Sequence, residues 1–158
     1  MNLYQFKRLL ELLEPKSILG EADIDVSEAN YATGYIEILN IAPNDTFGCS
    51  RLTVELDLNK ATTGWDAVST GSDTLNIGVF KKTDGANYRH VLSSAQLTAV
   101  GNGTHATAGV RFDLGPVAKG DRISIRVKVS TERGDIEIPY RVTYSSHIAP
   151  VVTAVAAA

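Results

Sequence analysis

From residue 35 onward the chain alternates apolar and polar positions with a period of two. Leu52, Val54, Leu56 and Leu58 alternate with Arg51, Thr53, Glu55 and Asp57. Ala106, Ala108, Val110, Phe112 and Leu114 alternate with His105, Thr107, Gly109, Arg111 and Asp113. Ile123, Ile125, Val127 and Val129 do so with Ser124, Arg126, Lys128 and Ser130, and Ile136, Ile138, Tyr140, Val142 and Tyr144 with Glu137, Pro139, Arg141 and Thr143. Successive strand side chains point to opposite faces, so each run predicts a strand with one face on a core and one towards water. Shorter runs at 36–41, 75–80 and 88–93 add three strands, and 23–26 a weaker eighth.

Turn signals separate these runs. Asp84-Gly85 predicts a hairpin loop between residues 80 and 88, and Gly101-Asn102-Gly103, Gly115-Pro116, Gly120-Asp121 and Arg133-Gly134-Asp135 mark the other connections. Pro139 has no ladder donor, which places its strand at an edge or bulges it there. The stretch 60–74 reads as one long loop, carrying the only Trp, Trp65. Seven or eight short strands predict an all-β fold, an antiparallel β-sandwich that eight strands would make jelly-roll-like. The expected core includes Leu52, Val54, Leu56, Val110, Phe112, Ile123, Ile125, Val127, Ile138, Tyr140 and Val142.

The two ends follow other patterns. Leu3, Phe6, Leu10 and Leu13 recur at three- and four-residue spacing, which predicts a short amphipathic helix, with Asn2 as its N-cap and Pro15 as its stop. Lys7, Arg8, Glu11 and Glu14 interrupt the apolar run, so it does not read as a secretory signal. Two readings stay open: the helix packs on its own domain, or it docks a partner or sister subunit. The last twelve residues, HIAPVVTAVAAA, carry no Asp, Glu, Lys or Arg. They read either as a frayed end or as an arm ordered against a neighbour. The division expected is a helix at 1–15, a sandwich at 16–146 and an apolar arm at 147–158. Partner contacts are expected from Leu3, Phe6, Leu10, Leu13, Val151, Val152 and Val155.

Composition narrows the function classes. A chain of 158 residues suits one domain. Its formal net charge of −3 gives no general electrostatic case for nucleic acid. No apolar run reaches the roughly 18 to 20 residues of a membrane span. A single cysteine, Cys49, excludes an intramolecular disulfide and a cysteine-rich zinc site.

Candidate chemistry is sparse. His90, His105 and His147 stand apart, without the close spacing of a metal pair. Cys49 has only Arg51 near it in sequence and reads as a small packed residue. Asp66, Ser69, Ser72 and Asp73 offer oxygen ligands in the long loop without calcium-loop spacing. Gly101-Asn102-Gly103 lacks the further glycine and the helix of a phosphate cradle. Lys81, Lys82, Tyr88 and Arg89 make a small basic hairpin, and Arg133-Gly134-Asp135 reads as an ordinary turn. No catalytic, cofactor-binding or metal residue is expected.

Three function classes were weighed on these residues. An enzyme lacks a nucleophile–base or metal constellation. A carbohydrate-binding or adhesion sandwich would use exposed aromatics, for which Trp65, Tyr31, Tyr35 and Tyr88 are candidates. A structural protein fits a disulfide-free sandwich flanked by an amphipathic helix and an apolar arm. The strand rhythm over residues 35–146, with segments such as GPVAKGDRISIRVKVS at 115–130, resembles the small jelly-roll decoration (cement) proteins of tailed-phage heads. That resemblance implies a non-enzymatic virion protein made in the host cytoplasm. It would bind the outer capsid surface as a dimer or trimer and bridge major capsid protein subunits, without cofactor, membrane or nucleic acid.

Overall fold

The computed structural model describes residues 1–25, 34–69, 71, 73–94, 97–98, 109–130 and 134–155, without the side chains of 11–13, 66, 97 and 98. Helix α1 (Leu3–Leu13) leads into ten strands among the described residues: β1 (Lys16–Asp25), β2 (Ile36–Ala42), β3 (Arg51–Asp57), β4 (Thr74–Lys82), β5 (Arg89–Ser93), β6 (Leu97–Thr98), β7 (Gly109–Asp113), β8 (Arg122–Val129), β9 (Asp135–Ser145) and β10 (Val151–Ala154). They form two antiparallel sheets, ordered β1-β9-β3-β7 and β10-β2-β8-β4-β5, with β6 beside β4. The fold is an all-β sandwich with one N-terminal helix. Its pairings are nested: β1 with β9, β2 with β8 and β3 with β7.

Alternation builds the core. The inward positions Leu52, Val54 and Leu56 of β3, Ile123, Ile125, Val127 and Val129 of β8, and Ile136, Ile138 and Val142 of β9 are all buried. Leu75, Ile77 and Val79 of β4 and Phe112 of β7 join them, while Val110 and Tyr140 pack against the same cluster half-buried. Each large aliphatic side chain fully buried contributes roughly 1.5 to 3 kcal/mol, and the entropy of ordering the chain offsets most of that sum.

Three features depart from the sequence pattern. Strand β1 is longer than residues 23–26 suggest, because its inward face includes Gly20 and Ala22, which give little apolar signal. Gly20 lies opposite Tyr140, and a Cβ there would stand 2.3 Å from the Tyr140 Oη, so the ring occupies the space the glycine leaves. Pro139 is not on an edge strand, since β9 runs between β1 and β3. The Glu137 amide donates to Thr63 O on the β3 side, and by alternation the Pro139 nitrogen faces that side too. It lies past the last β3–β9 pair, Leu56 with Tyr140, so no ladder bond is lost. The stretch 60–74 is not one continuous loop: it holds a four-residue helix α2 (Trp65–Val68) before β4 begins.

The C-terminal segment expected as a separate arm is instead a strand of its own domain. β10 adds to β2 in register Val151 with Ala42 through Ala154 with Leu39. Beyond it the Val155 amide donates to Ile38 O, and the Asp23 amide of β1 donates to Val155 O, so this residue ties the two sheets together at one edge. A buried carboxylate sets the approach to β10. Asp45 accepts from the Phe47 amide at 3.0 Å and from the His147 and Ile148 amides at 2.9 Å each. The Phe47 bond first, then those to Ile148 and His147, hold its carboxyl below the usual range against the opposing effect of burial.

Because the folded-state value of Asp45 is depressed, its contribution is complete above the unfolded value near ~3.9 and disappears as pH falls through the folded value. Asp45→Asn places an amide donor against backbone donors and should cost about 2 to 3 kcal/mol at neutral pH. Urea unfolding followed from pH 7 to pH 3 should show a smaller stability gap between the two proteins at acid pH. Truncation before Val151 should lower the melting temperature by about 5 to 10 °C, since a chain of this size loses roughly 2 to 4 °C per kcal/mol. An unchanged melting temperature would make β10 dispensable to the sandwich.

Candidate functional site

Two surfaces stand out once the core is accounted for. The first is helix α1. The Asn2 side chain accepts from the Gln5 amide at 2.8 Å, and the Gln5 side chain accepts from the Asn2 amide at 3.0 Å, a reciprocal capping box. The Glu14 amide closes the last turn on Leu10 O before Pro15 ends the helix. The depression between helix and body is lined by Tyr4, Lys7, Arg8 and His147. The described side chains of the helix are exposed on its polar and apolar sides alike. Leu3 is 83% exposed, Phe6 48% and Leu10 49%. Leu13 is helical, and its side chain lies outside the described residues. The described side chains of the stripe take no place in the domain's buried core.

The C-terminal candidates divide differently. Val152 packs half-buried on the domain's own core. Val151 points outward from β10 and is 53% exposed, and Val155 is engaged through its main chain as described above.

The second surface is the outer face of the second sheet, where the even positions of β4 and β8 meet β2 and β5. Phe80 pairs across from Ser124 and His90, and Gly78 from Arg126, which itself pairs with Glu37. Two register shifts flank this cluster, one between Glu37 and Leu39, the other between Val79 and Phe80. The first turns both Ile38 and Leu39 into the core and leaves Glu37 beside Arg126; the second sets His90 over Phe80. The Phe80 and His90 rings stack at 4.4 Å, and Tyr35 meets them edge-on at 5.5 and 5.4 Å. Gly78 makes this possible: a Cβ there would lie 2.9 Å from both His90 Nε2 and Phe80 Cε2.

Arg126 is fixed at the centre. Its guanidinium carbon lies 4.5 Å from the Phe80 ring centroid and 4.8 Å from that of Tyr88, whose ring also carries Lys82 Nζ at 4.9 Å. Arg126 Nε donates to Ser124 Oγ at 2.9 Å, and the Ser124 hydroxyl donates to Glu37 Oε2. Asn40 Nδ2 completes the ring, donating at 3.0 Å to both Glu37 Oε2 and Tyr88 Oη. Among the described residues the two Nη groups of Arg126 take no partner. The arrangement presents a planar, rigid cation edge, the geometry that recognises a carboxylate through two parallel hydrogen bonds.

The sequence picked out Tyr35 and Tyr88, and the structure brings them into this one cluster. Trp65 does not belong with them: it is 2% exposed, in the core beneath α2. Phe80, Arg126, Glu37 and Asn40 were missed as site residues. The outward parity of Arg126 along β8 was visible, but the register shift in β2 hides that of Glu37 and Asn40, and adjacency across strands distant in sequence was not legible. Tyr31, Ser72, His105, Arg133 and residues 101–103 lie outside the described residues, as does the Asp66 side chain. Among the described residues no group of three or more His, Cys, Asp or Glu stands ready to hold a metal. Cys49 is buried, with Sγ 3.6 Å from Ser146 Oγ, and burial pushes its thiol pKa up, which keeps it protonated and unreactive. Ser69 is buried, and among the described residues its Oγ has no partner.

No family model matches the chain, and no curated protein matches it.

Gly78→Val should drive His90, Phe80 and Tyr35 apart at a cost of about 1 to 3 kcal/mol. The near-ultraviolet circular dichroism of the aromatic rings should weaken while the far-ultraviolet strand signal persists. An intact aromatic signal would mean the rings do not depend on that gap.

Proposed function

We propose that this chain is a non-enzymatic structural protein of a tailed-phage virion, a decoration module that attaches to the outer capsid surface and stabilises contacts between major capsid protein subunits. The observation that carries the reading is helix α1, whose apolar residues Leu3, Phe6, Leu9 and Leu10 stand exposed. An isolated helix of 11 residues is marginal in water, since helices below about 12 to 15 residues lack enough propagated hydrogen bonds. Exposed apolar groups in an ordered element mark a partner surface.

The stripe also suits a second copy of the chain. Leu3, Phe6, Leu10 and Leu13 follow the three–four–three spacing of a two-heptad coiled-coil seam. Helices of two or three copies joined along it give a dimer or trimer, with the sandwiches as rigid platforms around it. The nested pairing of β1 to β9, β2 to β8 and β3 to β7 supports the jelly-roll reading on which the resemblance to decoration proteins rests. A carbohydrate-binding module is the second reading, favoured by Tyr35 and Tyr88 on one sheet face. Arg126 covers the Phe80 and Tyr88 rings, leaving less stacking surface for a sugar, so the assembly reading is preferred.

Replacing Leu3, Phe6 and Leu10 together by Glu should leave the sandwich melting temperature within about 2 °C, because these side chains are exposed and stand outside the domain's core. It should convert a dimer or trimer into a monomer in sedimentation and abolish co-sedimentation with undecorated capsid shells. Shells that bind the triple variant as well as the parent, or a parent that is already monomeric, would sink the proposal.

A further inference from the structure

The two outer faces of the sandwich carry opposite charge. Among the described strand residues, the outer face of the second sheet holds Lys82, Arg122, Arg126 and Lys128 against Glu37 alone. The outer face of the first sheet is net acidic: Glu21, Asp23, Asp25, Asp135 and Glu137 crowd at one end of β1 and β9, and Glu55, Asp57 and Asp113 share the rest with Arg51, Arg111 and Arg141. Lys60 binds Glu21 at 2.8 Å and also binds Glu137. Partial burial, then the carboxylates of Glu137, Asp135 and Glu21, push the Asp23 pKa up. Across the molecule, Arg126 is held rigid between two rings with its Nη edge open.

We propose that the basic, aromatic face of the second sheet is a docking surface for the acidic outer face of the first sheet of another copy of this chain. Charge complementarity selects this occupant: the carboxylates that match Arg126 and Lys82 are carried on the opposite side of the same molecule. Such a contact is heterologous, one face meeting a different face, so it extends from copy to copy rather than closing on itself. Five strands about 4.8 Å apart and about seven residues long, at about 3.3 Å each, make a face of about 550 Å². A standard interface takes about 800 Å² per partner, so this contact is weak and needs high local concentration. It is independent of the helix seam, which is apolar and insensitive to salt.

The test uses the full chain carrying Leu10→Glu, so that a helix seam, if present, no longer contributes to size. Sedimentation velocity should show concentration-dependent association at about 10 mM salt that disappears at about 0.3 M, as the screening length falls from about 30 Å to below 10 Å. K82E/R126E and E21K/D135K, each checked for the parent's circular dichroism, should separately lose association by more than about tenfold, because each puts like charge on like. Mixed one to one, the two variants should regain association, because the intact acidic face of the first meets the intact basic face of the second. Absence of low-salt association in the parent, unchanged association in either variant, or no pairing in the mixture would overturn the proposal. So would binding of polygalacturonate by the parent, lost in K82E/R126E, when the mixture fails to pair. In that outcome the face takes an acidic saccharide instead.

Discussion

Ile24, Ile38, Leu39, Ile41, Leu52, Ile77, Ile123, Ile125 and Ile138 meet between the two sheets with almost no contact with water, and the rest of the molecule is arranged around that contact. A strand can bury only alternate side chains, so pressing two sheets together commits half of every strand to the interior and the other half to the outside. The outer halves are therefore free of the core's demand for apolar residues. Charge and aromatic rings collect there, on faces whose spacing the core has already fixed.

The same contact explains the fate of the two ends. Strand β10 offers Val152 and Ala154 to the core and unsatisfied backbone groups to β2, and so it is absorbed as an edge strand, clamped by Asp45 and by the main-chain bonds of Val155. Helix α1 has no such place. Both sheets already cover one another, so Leu3, Phe6, Leu9 and Leu10 stay exposed. A stripe excluded from its own core is a group in search of another, which is why it carries the functional reading.

On the outer face, rigidity comes from local saturation. Glu37 accepts from Asn40 and Ser124, Tyr88 accepts from Asn40, and Ser124 accepts from Arg126 while two rings flatten the guanidinium. A cation fixed in this way loses little entropy on meeting a carboxylate, which is the advantage of a preorganised site.

The period-two pattern was enough to establish the class of fold, the inward positions of β3, β8 and β9, and the outward parity of Arg126. Alternation is a local property, written in consecutive residues. The helix and its cap were legible for the same reason. What the pattern could not convey was partnership across distance. Gly20 gives no apolar signal of its own, and only Tyr140 filling its space makes it a strand position; Trp65 reads as an exposed loop aromatic until the sheets close beneath α2. Pro139 reads as an edge marker until the end of β3 leaves its missing donor unopposed. Residues 151–154 look like a free tail because a strand's apolar signal over four residues is short, and only the vacant edge of β2 makes them a strand. Sequence alone decided which side chains face in and which face out; the tertiary structure decided which of the outward ones stand together, because strand order in a sheet joins residues that the chain keeps far apart.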